Sequence, residues 1–393
     1  MHLFLGSDMN TARMWLIGVS FLVTLTGCRP QEVPQYSYSE GFTALVDLAE
    51  DDEDRAHWES LQEQIKQELA KNAGTPRAPV AFGDPEADNA QLALGAEVYE
   101  YRCKQCHGVT GNGLGAVAEY LDPKPRDYTK GIFKFTSTPY GAKPRRSDLL
   151  QTLRRGVPGT SMPSFKDLSP EELEAVVDYV ILLSQRGELE QELVSIAEEE
   201  GELDPEYIQD SVNLVRDRWA EAQSQLVMPE TRMPPMTAET IQMGQELYLA
   251  QVCNKCHGID GRGGLAGNIE IGRDSWGHET AAADLTSGMY RGGGRPIDIY
   301  RRIHSGINGT PMPSFGQVFA DDPDKIWYLV HFIRDTGERR RRNLPPAADA
   351  SSSPTTTPPA DQPTDAPAAE EPTAESPSTQ GTAFEVISRV DAS

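Results

Sequence analysis

One pattern of residues occurs twice in this 393-residue chain, and the second copy lies 150 positions after the first. The first half of the pattern is Cys103, Cys106, His107, Gly108, Gly111 and Gly113, which recur as Cys253, Cys256, His257, Gly258, Gly261 and Gly263. The second half contains Met162 and Met312, in the segments GTSMPSF and GTPMPSF. Each methionine stands 55 positions after the histidine of its own copy. Such a repeat predicts two domains of one fold rather than a single large domain.

The Cys-x-x-Cys-His motif in each copy points to a specific chemistry. Its two thiols add to the vinyl groups of one porphyrin and its histidine is held against the iron, so the motif is the attachment signature of c-type haem. A Cys-x-x-Cys pair also occurs in redox dithiols and in zinc sites. Here a histidine follows both pairs and both pairs lie in matched repeats, which favours haem. We therefore predict two covalently bound c-type haems.

The repeated methionines are the predicted sixth ligands of the two irons. A thioether in that position closes the iron to substrates and raises its potential, which suits electron transfer rather than oxygen or peroxide chemistry. His304, eight positions before Met312, is an alternative ligand of the second iron, and three more histidines are available: His57, His278 and His331. Domain one carries Arg154 at the position that matches His304, so Met312 is favoured.

On these residues each repeat resembles the class I c-type cytochromes, and the two together resemble a di-haem cytochrome c. The resemblance covers about half of the chain. It implies an all-α fold and single-electron transfer between respiratory partners, with no catalytic residue. Family members often orient the ligand histidine through a proline carbonyl. Domain one offers Pro123 or Pro125, whereas domain two has no proline between His257 and Arg295.

The repeats predict cytochrome c domains at residues 89–186 and 238–337. A helix containing Tyr99 or Tyr248 should lead into each motif, and a closing helix should pack on it through Tyr179 or Phe332. In domain one the closing helix should begin with Ser169 as N-cap, Pro170 in the first turn and Glu172 completing a capping box, and should end near residue 184.

Four other segments surround the two domains. Residues 28–88 should form an anchor segment and a helix over about 44–71, and residues 187–237 an acidic helical linker. Residues 187–210 hold ten acidic residues and neither Lys nor Arg, a composition that usually means a solvated face and alternatively a docking surface. Residues 338–393 should comprise a basic knot at 339–342, which suits a helix C-terminus or phospholipid, and a disordered tail rich in Pro, Thr and Ala.

The N-terminus resembles the signal peptide of a bacterial lipoprotein, with Arg13 before an apolar run and Leu-Thr-Gly-Cys ending at Cys28. The run is about 14 residues long, which is shorter than the ~20 that span a bilayer. The resemblance implies that residues 1–27 are removed and that Cys28 is acylated, which would anchor the chain to a membrane on the periplasmic side. The alternatives are an ordinary secretory signal or a short anchor. Met9 is an alternative start, and either start exports the chain.

The net charge of −24 excludes a general nucleic-acid binder, which needs a basic face. It suits a carrier that docks on redox proteins, either free or as a subunit of a respiratory complex. Domain one nevertheless has a basic cluster, which is either a solvated loop or a docking surface: Lys124, Arg126, Lys130, Lys134, Lys143, Arg145 and Arg146. Because the loops of the repeats differ, the two haems should have unequal potentials and distinct partners. The alternative functions are a di-haem peroxidase-like enzyme and an electron inlet for a separate oxidase or dehydrogenase.

Overall fold

The computed structural model describes residues 34–266 and 271–345. These residues form helices and loops with no β-strand among them, so the all-α prediction is confirmed. The predicted signal peptide, Cys28 and residues 346–393 of the predicted tail lie outside the described residues. In the described part of the chain, no helix combines the length and the apolar composition that crossing a membrane requires.

The helices follow the order of the repeats. An N-terminal extension contains α1 (Glu40–Ala44) and α2 (Asp52–Ala73). Domain one contains α3 (Ala90–Arg102), α4 (Lys104–His107), α5 (Arg146–Arg155) and α6 (Pro170–Glu200). After α7 (Pro205–Ala222), domain two contains α8 (Ala238–Ala250), α9 (Asn254–His257), α10 (Pro296–His304) and α11 (Asp324–Arg341). Short 3₁₀ helices cover Leu45–Leu48, Ala118–Tyr120, Gly263–Ala266 and Leu285–Ser287.

The same pair of crossed helices forms the frame of both domains, α3 against α6 and α8 against α11. The rings of Tyr99 and Tyr179 lie 5.3 Å apart, and those of Tyr248 and Phe332 lie 5.0 Å apart, as predicted. A glycine allows each crossing to be close, because a Cβ at Gly95 or Gly244 would collide with a backbone carbonyl of the opposing helix. The close contact thereby fixes the point along the closing helix at which the first helix of each domain crosses it.

Helix α6 begins as predicted and ends much later than predicted. Ser169 caps it, Pro170 follows, and Glu172 completes the capping box. The helix then runs without interruption to Glu200, across the predicted domain boundary at residue 186. Gly187, three residues after the predicted end near residue 184, lies inside the helix and allows contact with the backbone of Thr129, where a Cβ would collide. The glycine therefore serves packing inside the helix.

The acidic segment after residue 187 differs from a simple solvated face. Glu188 is buried, accepts a hydrogen bond from Trp219 Nε1 at 2.7 Å and pairs with Lys143 of domain one. Glu190 is also buried and pairs with Arg186 at 3.1 Å. Glu188 therefore links α6 to α7 and to domain one, and Glu190, which also accepts the N–H of Ser39, links α6 to the N-terminal extension.

The N-terminal extension packs on this long helix, as its apolar pattern predicts. Leu61, Ile65 and Leu69 of α2 are buried in the same core as α6. The helix begins at Asp52 rather than near residue 44, because Asp51 acts as its N-cap and accepts the N–H of Asp54. The described chain up to α7 therefore shares one apolar core.

The basic knot forms the last turn of α11 and the residue after it, where positive charge favours a helix end. Arg339 pairs with Asp335 at 2.6 Å, and Arg340 pairs with Asp284 at 2.7 Å. Arg341 and Arg342 both pair with Glu338. These pairs support the helix-terminus interpretation over contact with phospholipid.

The two domains differ by one residue where the first helix enters the motif. The N–H of Cys103 bonds the carbonyl of Tyr99, four positions earlier, whereas the N–H of Cys253 bonds that of Tyr248, five positions earlier. The extra residue is accommodated at Val252, whose φ of 55° lies in the left-handed region. A β-branched side chain rarely adopts this conformation. Domain two therefore carries local backbone strain next to its motif.

We expect Val252→Gly to stabilise domain two by about 0.5–1 kcal/mol. Removing the side chain relieves left-handed strain of about 1–2 kcal/mol, which exceeds the entropic cost of a glycine. Val252 is 50% exposed, so little buried apolar surface is lost. Thermal unfolding of the holoprotein measures the change. Ile259→Gly is the control, because Ile259 is exposed and lacks a positive φ, and it should lower stability. A loss of stability in both variants would contradict the assignment of strain.

Candidate functional site

A single helical turn carries the cysteines and histidine of each repeat. In α4 the N–H groups of Cys106 and His107 both bond the carbonyl of Cys103, and α9 repeats these bonds at Cys253. The turn places the two thiols of each motif three positions apart on one face. Gly108 and Gly258, at φ values of 77° and 74°, end the turn immediately after the histidine. The predicted residues of each motif are therefore brought together in the same way twice.

Each motif histidine is oriented by a backbone carbonyl. His107 Nδ1 lies 2.9 Å from the carbonyl oxygen of Arg126, and His257 Nδ1 lies 3.1 Å from that of Ala283. Burial lowers the pKa of His107 to about 4 and also lowers the pKa of His257, so both rings are neutral at pH 7. A neutral ring that donates from Nδ1 presents Nε2 to a metal. The expectation of a proline carbonyl is wrong in domain one, and domain two makes the contact without a proline.

A tyrosine hydroxyl fixes the other end of each motif. Tyr99 donates to the carbonyl of Gly108 at 2.8 Å, and Tyr248 donates to that of Gly258 at 2.6 Å. The sequence predicted a packing role for these tyrosines but did not predict the hydrogen bond. The signal was their equal placement after Gly95 and Gly244, the glycines of the helix crossings.

The methionine loops of the two domains have the same hydrogen bonds. The N–H of Val157 bonds the carbonyl of Met162 at 3.1 Å, and Ile307 bonds Met312 in the same way at 3.2 Å. A threonine and a serine close each loop through bonds made by Thr160, Ser164, Thr310 and Ser314. Gly156, at φ 70°, lies against the backbone of Met162 and Pro163, where a Cβ would collide. Both loops are therefore stiff supports for a methionine.

The spare histidines are engaged elsewhere or exposed. His57 bonds the carbonyl of Gly201 at 2.7 Å, and His331 is fully buried with Nδ1 3.0 Å from Thr240 Oγ1. His304 stacks on Tyr300, with ring centroids 5.9 Å apart. His278 is exposed. The assignment of Met162 and Met312 as iron ligands stays a prediction, supported by the matched loops.

The surroundings of the two motif histidines differ. The ring of Tyr128 stacks on His107, with centroids 4.7 Å apart and planes inclined by 19°. In domain two Leu285 takes the same backbone position, since the N–H groups of Tyr128 and Leu285 bond Gly111 and Gly261 respectively. Cys103 and His107 are buried, whereas Cys256 is exposed and His257 is partly exposed. The first site is therefore the more enclosed.

The arrangement fits haem attachment better than the other uses of a Cys-x-x-Cys pair. Burial raises the pKa of Cys103 to about 12 and that of Cys253 to about 11, whereas redox dithiols need a lowered thiol pKa. A structural zinc ion needs four ligands. Among the described residues, no group of three or more His, Cys, Asp and Glu side chains is placed to hold a metal ion. Two thiols, a neutral imidazole and a methionine loop match the donor set of a c-type haem.

Domain two presses directly on the histidine-orienting segment of domain one. The ring of Trp276 lies 3.7 Å from the guanidinium carbon of Arg126, and its Nε1 donates to the carbonyl of Asp127 at 3.2 Å. The same ring contacts Gly309 of the second methionine loop, where a Cβ would lie 2.7 Å from the indole. Trp276 therefore touches structural elements of both sites.

The basic cluster of domain one is consumed largely by internal contacts. Lys134 pairs with Asp274 of domain two at 2.9 Å, and Lys143 pairs with Glu188 of α6. Arg146 pairs with carboxylates of α6. Lys124, Lys130 and Arg145 donate to backbone carbonyls. Most of the cluster therefore holds domain one to its neighbours rather than forming a free docking surface, whereas Lys124 and Lys130 are exposed.

Comparison with known families agrees with this geometry. The family model described as cytochrome c oxidase, cbb3-type, subunit III matches residues 90–180 and again residues 239–333. Both repeats are cytochrome c domains. The two matched segments coincide with the two helix-crossing frames and their motifs, and such domains bind haem c covalently.

Among solved structures, the chain is similar to a chain of the reducing HAO-like protein complex of Kuenenia stuttgartiensis. The two are 31% identical over 62% of this chain and 95% of that one, with a TM-score of 0.48. No curated protein matches this cytochrome.

We expect Trp276→Leu to weaken the attachment of the two cytochrome domains to each other. The change removes the ring from Arg126 and the N–H from Asp127, contacts worth about 1–3 kcal/mol together. In calorimetry of the holoprotein, the variant should show two unfolding transitions, one for each domain, whereas the wild type should show one. Trp276→Phe keeps an aromatic ring and should weaken the contact between the domains less than Trp276→Leu does.

Trp58→Leu is the control for that experiment, because Trp58 lies in α2, in the core shared with domain one. It should lower stability without separating the domains. If Trp276→Leu unfolds at the same temperature and with the same number of transitions as the wild type, the contact contributes nothing measurable to the stability of the protein.

Proposed function

We propose that this chain is a di-haem c-type cytochrome that transfers single electrons between redox partners outside the cytoplasm. The observation that carries the proposal is the repetition of one complete site: a Cys-x-x-Cys-His turn, a carbonyl on the histidine Nδ1 and a stiff methionine loop occur in both domains. The proposal includes attachment to a membrane through Cys28 and docking on redox proteins, either free or in a respiratory complex.

The chain's own residues would hold and shield each haem. Cys103 and Cys106, or Cys253 and Cys256, would form the thioether links, and His107 or His257 would supply the nitrogen ligand. Haem, once attached, supplies a one-electron iron couple. The carbonyls of Arg126 and Ala283 keep the imidazoles in the tautomer that presents Nε2. Met162 and Met312 would occupy the sixth position and exclude substrates.

The two sites should differ in potential despite having the same ligands. Solvent exposure stabilises the more highly charged ferric state, so a better enclosed haem has the higher potential. The motif of domain one is more buried than that of domain two, and the ring of Tyr128 stacks on its histidine, His107. The proposal therefore gives the domain-one haem the higher potential.

A di-haem peroxidase-like enzyme is the rival function. Such an enzyme needs one iron that opens to peroxide, whereas the two methionine loops have the same hydrogen bonds. Addition of peroxide to the reduced protein separates the two functions, because only the enzyme should bind peroxide at an iron and change its absorption spectrum accordingly.

Replacing either methionine should affect one haem alone. Met162→Ala or Met312→Ala should remove the red sulfur-to-iron charge-transfer band of one haem and lower its midpoint potential, because the thioether favours ferrous iron. Redox titration with absorption spectroscopy measures both and assigns each potential to a domain. The control is Met228→Ala, because Met228 is 64% exposed and belongs to neither loop. Both bands surviving in either loop variant would refute the ligand assignment.

Cys28→Ser should release soluble haem protein or leave an unprocessed precursor. Without the thiol no acyl chain can be attached, and membrane association depends on those chains. Membrane fractionation of cells that express the full chain, followed by haem staining and mass spectrometry of the N-terminus, measures the result. A variant that matures and fractionates like the wild type would exclude the lipid anchor and leave the electron-transfer proposal intact.

A further inference from the structure

A small cavity lies where α5 of domain one faces α10 of domain two. Its volume is about 20 Å³, enough for one water-sized group. The lining includes side chains from both domains and the loop after the first motif: Ser137, Asp148, Arg155, Asp298, Arg301 and Arg302. The cavity thus belongs to neither methionine loop and neither motif, although both helices that line it lead into methionine loops.

Two polar atoms in this lining are buried without a hydrogen-bond partner, Arg302 Nε and Ser137 Oγ. Ser137 is only 4% exposed. Unpaired buried donors are costly, by about 1–3 kcal/mol each, and native proteins usually satisfy them. Both donors belong to residues that line this cavity, so an acceptor bound in the cavity is the group that would satisfy them.

The charges around the cavity specify the acceptor further. Arg302 donates to the carbonyls of Lys134 and Thr136, Arg301 donates to that of Val227, and Arg155 donates to that of Arg291. These partners are neutral, so they leave three positive charges in the lining. Against them stand two carboxylates, Asp148 and Asp298.

Both carboxylates already have other hydrogen-bond or ion-pair partners. Asp298 pairs with a fourth arginine, Arg295, at 2.8 Å, and Asp148 accepts the backbone N–H groups of Ser137 and Arg145. The balance of charge at the cavity is therefore positive. Burial lowers the pKa of Arg302 to about 10, which is the mark of a guanidinium removed from water with too little compensating negative charge.

We propose that this cavity binds one small anionic group, the size of chloride or a single carboxylate, between the two cytochrome domains. Arg302 Nε and Ser137 Oγ donate to it, and Arg155 and Arg301 supply further positive charge. The same chemistry suits a dissolved halide and the carboxylate of a haem propionate. In either case the anion offsets the positive charge of the cavity and links α5 to α10 through its contacts with both helices.

Crystals of the holoprotein grown in bromide provide the first test. A dissolved anion gives an isolated anomalous peak within hydrogen-bond distance of Arg302 Nε and Ser137 Oγ. A propionate gives density that continues into a porphyrin, without an anomalous peak. Either result supports the anion site. A water molecule in the cavity, or density for neither anion, would overturn it.

Halide dependence of stability provides the second test. With a dissolved anion, the thermal midpoint of the holoprotein should rise on the order of 3 °C from sodium methanesulfonate to sodium bromide at equal ionic strength. Arg302→Gln and Ser137→Ala should abolish or reduce the rise. Arg216→Gln is the control, because Arg216 is 48% exposed and bonds a residue of its own helix, and it should keep the rise.

The propionate source predicts a different pattern in the same experiment. The midpoint is then insensitive to the halide, and Arg302→Gln changes the potential of one haem while Arg216→Gln changes neither. A halide-insensitive protein in which Arg302→Gln leaves both potentials unchanged would reject the proposal. The haem content of each variant, from its absorption spectrum, reports separately on the proposed function.

Discussion

Arg126 connects the two halves of the molecule through two different groups of one residue. Its carbonyl accepts the Nδ1–H of His107, and its guanidinium lies against the ring of Trp276 in domain two. Burial lowers the pKa of Arg126 to about 10, so the stacked ring and the nearby Asp274 carboxylate are what keep this charge tolerable inside the protein. The residue that orients the motif histidine His107 is therefore itself held by the second domain.

The parts of the sites that sequence could predict are those encoded by local spacing. The helical turn at Cys103, the capping box at Ser169 and the methionine loops all follow from residues within about ten positions of one another. The all-α fold is implied by the resemblance of these repeats to the class I c-type cytochromes. These features need no knowledge of which distant segment packs against which, so one sequence is sufficient to predict them.

The features that sequence missed depend on contacts between distant segments. The carbonyls that hold the histidines come from Arg126 and Ala283, which lie 19 and 26 positions along the chain from their partners and share no residue type. The continuation of α6 past residue 184 depends on the packing of Gly187 against the backbone of Thr129, which lies far away in the sequence. Several lysines and arginines that suggest a docking face, Lys134, Lys143 and Arg146 among them, instead pair with carboxylates of domain two and α6.

The uninterrupted helix α6 determines how this cytochrome can be divided. At a rise of about 1.5 Å per residue, its 31 residues form a rod roughly 46 Å long that belongs to domain one at its start and to the linker at its end. A cut at the compositional border would sever the rod and expose the apolar residues that receive α2 and α7. A self-contained first half must therefore extend from the N-terminal helices through Ala222, because these helices share one apolar core with α6.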